Sequence, residues 1–129
     1  MFAARPLFLQ ASPRCVSVVE VNSETDFVGR SEPFQQLVKA AAAAAASLLP
    51  QQRPAAAVQL QQLAFEQLSS ARLDASGASV AEGCASLAGK VRENIALRRG
   101  WLMAGGPNSE YAATAAVAAA AATFVAAWY

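Results

Sequence analysis

The chain contains no histidine and only two cysteines among its 129 residues. The first absence removes the commonest metal ligand and the side chain that most readily moves protons near neutral pH. Cys15 and Cys84 show no ligand spacing and read as ordinary thiols, with a disulfide between them left open. Gly-rich phosphate loops and nucleophile–base sets are missing as well. Glu20, Glu24 and Asp26 lie close in sequence, as an acid/base pair would, yet nothing accompanies them to complete a catalytic constellation. Charge is sparse: ten basic and nine acidic residues leave a net charge of +1. The basic residues are scattered, with Arg98-Arg99 the single adjacent pair, so no cationic face for nucleic acid is built. No metal site and no cofactor is called for, and the function class that remains is binding rather than catalysis.

What the chain does have is alanine. Alanine supplies much of the 55% hydrophobic content, and its methyl group offers little area to bury, so the core is thinner than that percentage suggests. The length allows one domain, with a patterned part of about 90 residues. Residues 16–21 are rich in β-branched valine and read as a strand. Ser31 then offers a helix N-cap, with Glu32 and Pro33 suited to a first turn. Phe34, Leu37, Val38, Ala41, Ala42 and Ala45 follow at the spacing of one helical face, and the alanines of 40–46 sustain that helix. Residues 50–54, bounded by prolines, are a break. The spacing predicts a second helix over 55–71, in a glutamine- and leucine-rich stretch whose register is poorly determined. Residues 74–79 form a Gly/Ser turn. Val80, Cys84, Leu87, Ala88 and Val91 return to helical spacing and predict a third helix ending near Arg92. Ile95, Leu97, Arg99 and Trp101 change to period two, a second strand. The fold class is α+β, with helices packed on a small antiparallel sheet. Two strands alone are marginal, which implies a partner strand lost or supplied elsewhere.

Residues 15–104 therefore form the core, flanked by a leader or truncated upstream region (1–14) and an alanine-rich, low-complexity tail (105–129). The first segment lacks acids and carries Ser and Phe, as organellar transit peptides do, but it is short and holds two prolines; an upstream region cut at an internal methionine fits equally. Residues 111–129 carry no charge and are long enough to span a bilayer. Alanine is near neutral for insertion and no basic flank sets an orientation, so a membrane anchor is disfavoured against a low-complexity helix or a gene-model artefact.

The most informative stretch is Glu20-Val21-Asn22-Ser23-Glu24-Thr25-Asp26-Phe27-Val28-Gly29-Arg30. A strand feeds into a polar corner that presents a carboxylate and an aromatic ring side by side. On residue types alone this is equally a capped corner whose Phe27 and Val28 start a helix core. The residues themselves, continued by Phe34-Gln35-Gln36-Leu37-Val38, closely resemble the signature of the translation elongation factor Ts family: Glu-Val-Asn-Cys/Ser-Glu/Gln-Thr-Asp-Phe-Val-Ala/Ser-Arg/Lys. Leu87-Ala88-Gly89-Lys90-Val91-Arg92-Glu93-Asn94-Ile95 and the Arg98-Arg99 pair resemble a second family pattern, Gly-Lys-Leu/Ile-Gly-Glu-Asn-Ile followed by basic residues. Arg92 stands where that pattern has glycine, which puts the junction of helix and second strand in question. The resemblance covers residues 15–102, the N-terminal half of the family's core domain. The small helical N-terminal domain and the second core half of complete members have no counterpart in it.

The resemblance implies a translation elongation factor that acts as a guanine nucleotide exchange factor, promoting GDP release from elongation factor Tu by binding its GDP-bound and nucleotide-free forms. It implies that Thr25, Asp26, Phe27 and Val28 meet this partner: Phe27 wedges into an apolar cleft, Asp26 perturbs the network holding Mg²⁺, and Thr25 caps the turn. Direct nucleic-acid contact is not implied. The alternative is a truncated or degenerate Ts-like interaction module with little exchange activity. Family members act in bacteria and organelles; the acid-free N-terminus and the alanine and glutamine tracts point to a mitochondrion, with a plastid as the alternative.

Overall fold

A computed structural model describes residues 7–11, 15–48, 59–73 and 77–104. In chain order the elements are β1 (Leu7–Ala11), β2 (Cys15–Ser23), α1 (Asp26–Arg30), α2 (Glu32–Ser47), β3 (Gln59–Gln62), α3 (Phe65–Ser70), α4 (Val80–Val91) and β4 (Ile95–Ala104). The strands form one antiparallel sheet in the order β1-β2-β4-β3. The class is α+β, helices on a small antiparallel sheet.

The core lies between the sheet and the helices. Along β2, alternate residues point to one face: Val19 and Val21 are fully buried in the core, and Ser17, on the same face, donates its hydroxyl to the Ala42 carbonyl of α2 at 2.6 Å. That bond is what makes a buried serine tolerable there. The apolar face predicted for α2 is the face observed, with Phe34, Leu37, Val38, Ala41, Ala42 and Ala45 all buried and Ala44 beside them. Alanine here is not filler: its small side chain lets the helix lie close enough to β2 for the Ser17 bond. Val80, Cys84 and Leu87 of α4 are buried against the same core, as their spacing predicts.

Three expectations need correction. The sheet has four strands, not two; no missing partner is required, because β1 and β3 flank the central β2–β4 pair. β1 falls within 1–14, the stretch that the sequence sets apart from the core, and pairs Leu7 with Glu20 through Ala11 with Val16. The single helix over 55–71 is replaced by β3 and the short α3. Gln59 to Gln62 pair with Ala104 to Trp101 of β4, so an available sheet edge overrides local helical preference. Leu63 and Leu68 are then buried. Gly100 makes room for Leu68: a Cβ at Gly100 would stand 2.8 Å from Leu68 Cδ2.

The period-two reading of β4 also fails midway. Glu20 pairs with Arg99, but Val21 pairs with Leu97, so Arg98 is the extra residue of a β-bulge. Ile95 and Leu97 pack on the core side; past the bulge, Gly100 and Leu102 take the inward positions. Arg99 and Trp101 thus leave the face on which the simple alternation puts them. Arg99 instead pairs with the buried Glu20 at 2.6 Å, and its guanidinium lies 5.2 Å from the Trp101 ring centroid.

The proline-bounded break at 50–54, residues 74–76 of the turn at 74–79 and the alanine-rich tail lie outside the described residues. No helix among the described residues is long and apolar enough to cross a membrane.

Candidate functional site

The polar corner after β2 becomes a single helical turn, α1, with Thr25 as its N-cap. Thr25 is extended (φ −123°, ψ 154°), and its hydroxyl accepts a long bond from the Val28 N–H at 3.4 Å. Ser23 Oγ donates to the Thr25 carbonyl at 2.9 Å, and Gly29 N–H closes the turn on the same carbonyl at 3.2 Å. At the other end Ser31 departs from its expected role. It is the cap residue of α2 but makes no side-chain capping bond; its hydroxyl donates to the Val28 carbonyl at 2.6 Å instead. Gln35 Nε2 donates to the Gly29 carbonyl at 2.9 Å. A five-residue helix has little stability of its own. This one is pinned by side chains at Val28 and Gly29.

The four candidate residues sit together on this turn and divide in two. Thr25 and Val28 face the protein, Val28 packing on the core. Asp26 and Phe27 face outward. Phe27 is 85% exposed, and it and Phe65 are the exposed large hydrophobic residues among those described. Asp26 forms a loose pair with Arg30 at 3.8 Å, both well exposed, a contact of little energetic weight.

What holds the turn comes from far along the chain. The Glu93 carboxylate receives the Thr25 N–H at 3.2 Å and the Thr25 hydroxyl at 2.8 Å and 3.0 Å from its two oxygens, across 68 residues of sequence. Beside it the Glu24 carboxylate receives the Asn94 N–H at 3.1 Å. The second sequence motif is thus a clamp on the first. Hydrogen bonds to a carboxylate are stronger than neutral ones, and this clamp leaves the Thr25 hydroxyl donating to Glu93 while accepting from Val28. Periodicity and composition carry no trace of this contact; the one signal for it is that both motifs occur in the same chain.

The clamp is aimed by the end of α4. Arg92 is its C-cap in the left-handed region (φ 57°, ψ 35°), donating its N–H to the Ala88 carbonyl at 2.9 Å. Among the described residues it is the only non-glycine with positive φ. Glycine is favoured in this conformation, and a side chain costs about 1–2 kcal/mol there. The junction is therefore not distorted by the arginine; it is kept, under strain, and it delivers Glu93 to Thr25. At the opposite end of α4 a full capping box forms between Ser79 and Glu82, and the Ser79 backbone and side-chain bonds hold the Glu82 carboxyl below its ordinary range.

Cys15 and Cys84 are both buried and not joined to each other, so the disulfide left open by the sequence is not formed. Burial pushes the Cys84 thiol up to about 11, which keeps it protonated and a poor nucleophile.

Comparison with known proteins settles the lineage. The family model described as Elongation factor TS matches residues 24–123. The chain belongs to the elongation factor Ts family. Among its relatives, the mitochondrial elongation factor Ts of Chlamydomonas reinhardtii is 46% identical over 84 residues, 65% of this chain and 21% of that protein. Elongation factor Ts of Verminephrobacter eiseniae is 41% identical over 83 residues, 64% of this chain and 24% of that protein. The mitochondrial elongation factor Ts of Salmo salar is 42% identical over 83 residues, covering 26% of its length. The chain thus spans about a fifth to a quarter of these relatives.

Proposed function

We propose that this chain is an exchange factor for elongation factor Tu, acting through the turn that carries Asp26 and Phe27. The observation that carries this reading is the exposure of Phe27 on a clamped backbone. A lone exposed hydrophobe is ordinary. An 85% exposed phenylalanine on a turn fixed by Thr25, Ser31, Gln35 and Glu93 is poised to enter a pocket elsewhere without losing conformational entropy in its backbone.

Exchange makes and breaks no covalent bond. A factor that binds nucleotide-free Tu more tightly than GDP-bound Tu lowers the affinity for GDP by the same ratio. In the family likeness, the Phe27 ring displaces packed elements of the GTP-binding domain, and Asp26 disturbs the groups around Mg²⁺. Loss of that cation leaves the diphosphate charge uncompensated, and GDP departs. Thr25 and Val28 hold the turn from the inside. The orientation of the four residues, two inward and two outward, supports this reading.

The alternative is a Ts-like module that binds Tu with little exchange. Release of a fluorescent GDP from organellar Tu separates the two. Acceleration by the wild type that Phe27→Ala abolishes supports exchange; binding without acceleration, from a chain folded by circular dichroism, supports the module. The names of the relatives favour an organelle, with the mitochondrion first and the plastid second, and a fluorescent fusion imaged against organelle markers distinguishes them.

A further inference from the structure

The acids around the turn are all engaged. Glu93 is bonded to Thr25, Glu24 to the Asn94 N–H, and Asp26 is paired with Arg30. The cations at the end of α4 are not: Lys90 and Arg92 are exposed, and neither forms an ion pair among the described residues. Lys90 and Arg92 thus place two cationic side chains, without ion pairs among the described residues, at the end of α4, next to the Glu93 clamp, although the chain as a whole is nearly neutral.

Arg92 is the sharper of the two. It occupies a left-handed position (φ 57°) that glycine fills without strain. It precedes Glu93 directly, so its Cα lies about 3.8 Å from the Cα of the residue that clamps Thr25. Local strain retained next to a binding element points to a use for the side chain. An exposed arginine at the rim of an interface mainly raises the association rate and selects the partner, and its planar fork suits a carboxylate.

We propose that Arg92, supported by Lys90, is a steering and specificity residue that meets a carboxylate on the rim of the same partner surface that receives Phe27. This rests on the exchange reading for the identity of the partner, elongation factor Tu. Arg92 acts in encounter, whereas Phe27 acts in release.

The test is stopped-flow association of the full chain with Tu over a range of salt concentrations, for the wild type, Arg92→Gly, Arg92→Lys and Phe27→Ala. Arg92→Gly is expected to melt at higher temperature, because the strain is relieved, yet to associate about threefold more slowly at low salt and with a shallower salt dependence. Arg92→Lys keeps the charge and is expected to associate nearly as the wild type does. Phe27→Ala is expected to lose nucleotide release while keeping the salt dependence of association. A more stable Arg92→Gly that associates as fast as the wild type, with the same salt dependence, overturns the proposal and leaves the exchange reading standing. Slowing confined to GDP release at saturating protein also overturns it, and assigns Arg92 to the nucleotide phosphates. Slower association of Arg92→Gly with a wild type that binds but releases no GDP supports the steering role while the exchange reading falls. No association by the wild type overturns both.

Discussion

Phe27 and Phe34 sit on consecutive helices of one short segment, and one is 85% exposed while the other is fully buried. The difference lies in what fixes each ring. Phe34 is held by its own packing, on the buried face of α2 and within the core cluster. Phe27 touches little, and its position is set by the backbone beneath it, capped by Thr25 and clamped by Glu93. The same side chain serves as cement in one place and as a presented group in the other. Stability and function should therefore come apart when the two are altered, and substitutions along this segment can be ranked by how much stability each removes.

The largest loss is expected from Phe34→Ala. Emptying a fully buried aromatic site costs about 3–5 kcal/mol, a large part of what a domain of this size has to spare. Denaturant unfolding reads it directly; a loss below about 1 kcal/mol would mean that the core collapses around the gap and that the contrast with Phe27 is weaker than drawn. Glu93→Ala comes next. It removes the acceptor of the Thr25 N–H and hydroxyl, partly buried bonds whose loss costs about 1–3 kcal/mol. Its more telling effect is local: amide hydrogen exchange at residues 25–29 should speed up more than that in α2. Equal acceleration everywhere would make Glu93 a structural residue like any other.

A smaller loss tests the end of α4 opposite to Arg92 and Glu93. Ser79→Ala removes the capping box and should cost about 1 kcal/mol without loosening the Phe27 turn. Its pH dependence has a definite sign. The Glu82 carboxyl is held below its ordinary range by the Ser79 backbone and hydroxyl. Its contribution is therefore present above the ordinary carboxylate range and is lost as pH falls through the depressed value. The Ser79 N–H bond to this carboxylate survives in Ser79→Ala, so the variant that reads the pH dependence is Glu82→Gln, which should converge in stability with the wild type as the solution is acidified; a gap that stays constant into acid would remove Glu82 from the account.

Much of this frame is legible in the sequence because its elements bury one regular face. The spacing of Phe34, Leu37, Val38 and Ala41 identifies α2, and that of Val80, Cys84 and Leu87 identifies α4. Elements that depend on an edge or a neighbour are not legible in this way. Gln59 to Gln62 would suit a helix, and become β3 only because β4 offers an edge. The bulge at Arg98 reverses the inward residues of β4, and no local signal for an inserted residue exists when both flanks are strand-like. At the candidate site, Thr25 to Val28 stand out through family likeness. Their support by Glu93 is a tertiary contact spanning 68 residues, which neither propensity nor periodicity encodes. Arg92 shows the limit from the other side: as a departure from glycine it is visible in sequence, but only its φ of 57° says what the departure costs.

The smallest stability effect is expected from Phe27→Ala, and it decides the comparison. A ring that is 85% exposed gives up little transfer free energy when removed, so unfolding free energy should stay within about 0.5 kcal/mol of the wild type. Alanine is also a better helix former than phenylalanine, which offsets part of the lost contact with neighbouring side chains. On the proposed exchange reading, acceleration of GDP release should vanish, because the ring is the proposed wedge. The two readouts must be taken on the same protein. If Phe27→Ala unfolds easily, the ring is part of the core's support and its exposure is misleading. If it is as stable as the wild type and still releases GDP, the turn is held rigid for some purpose other than inserting Phe27.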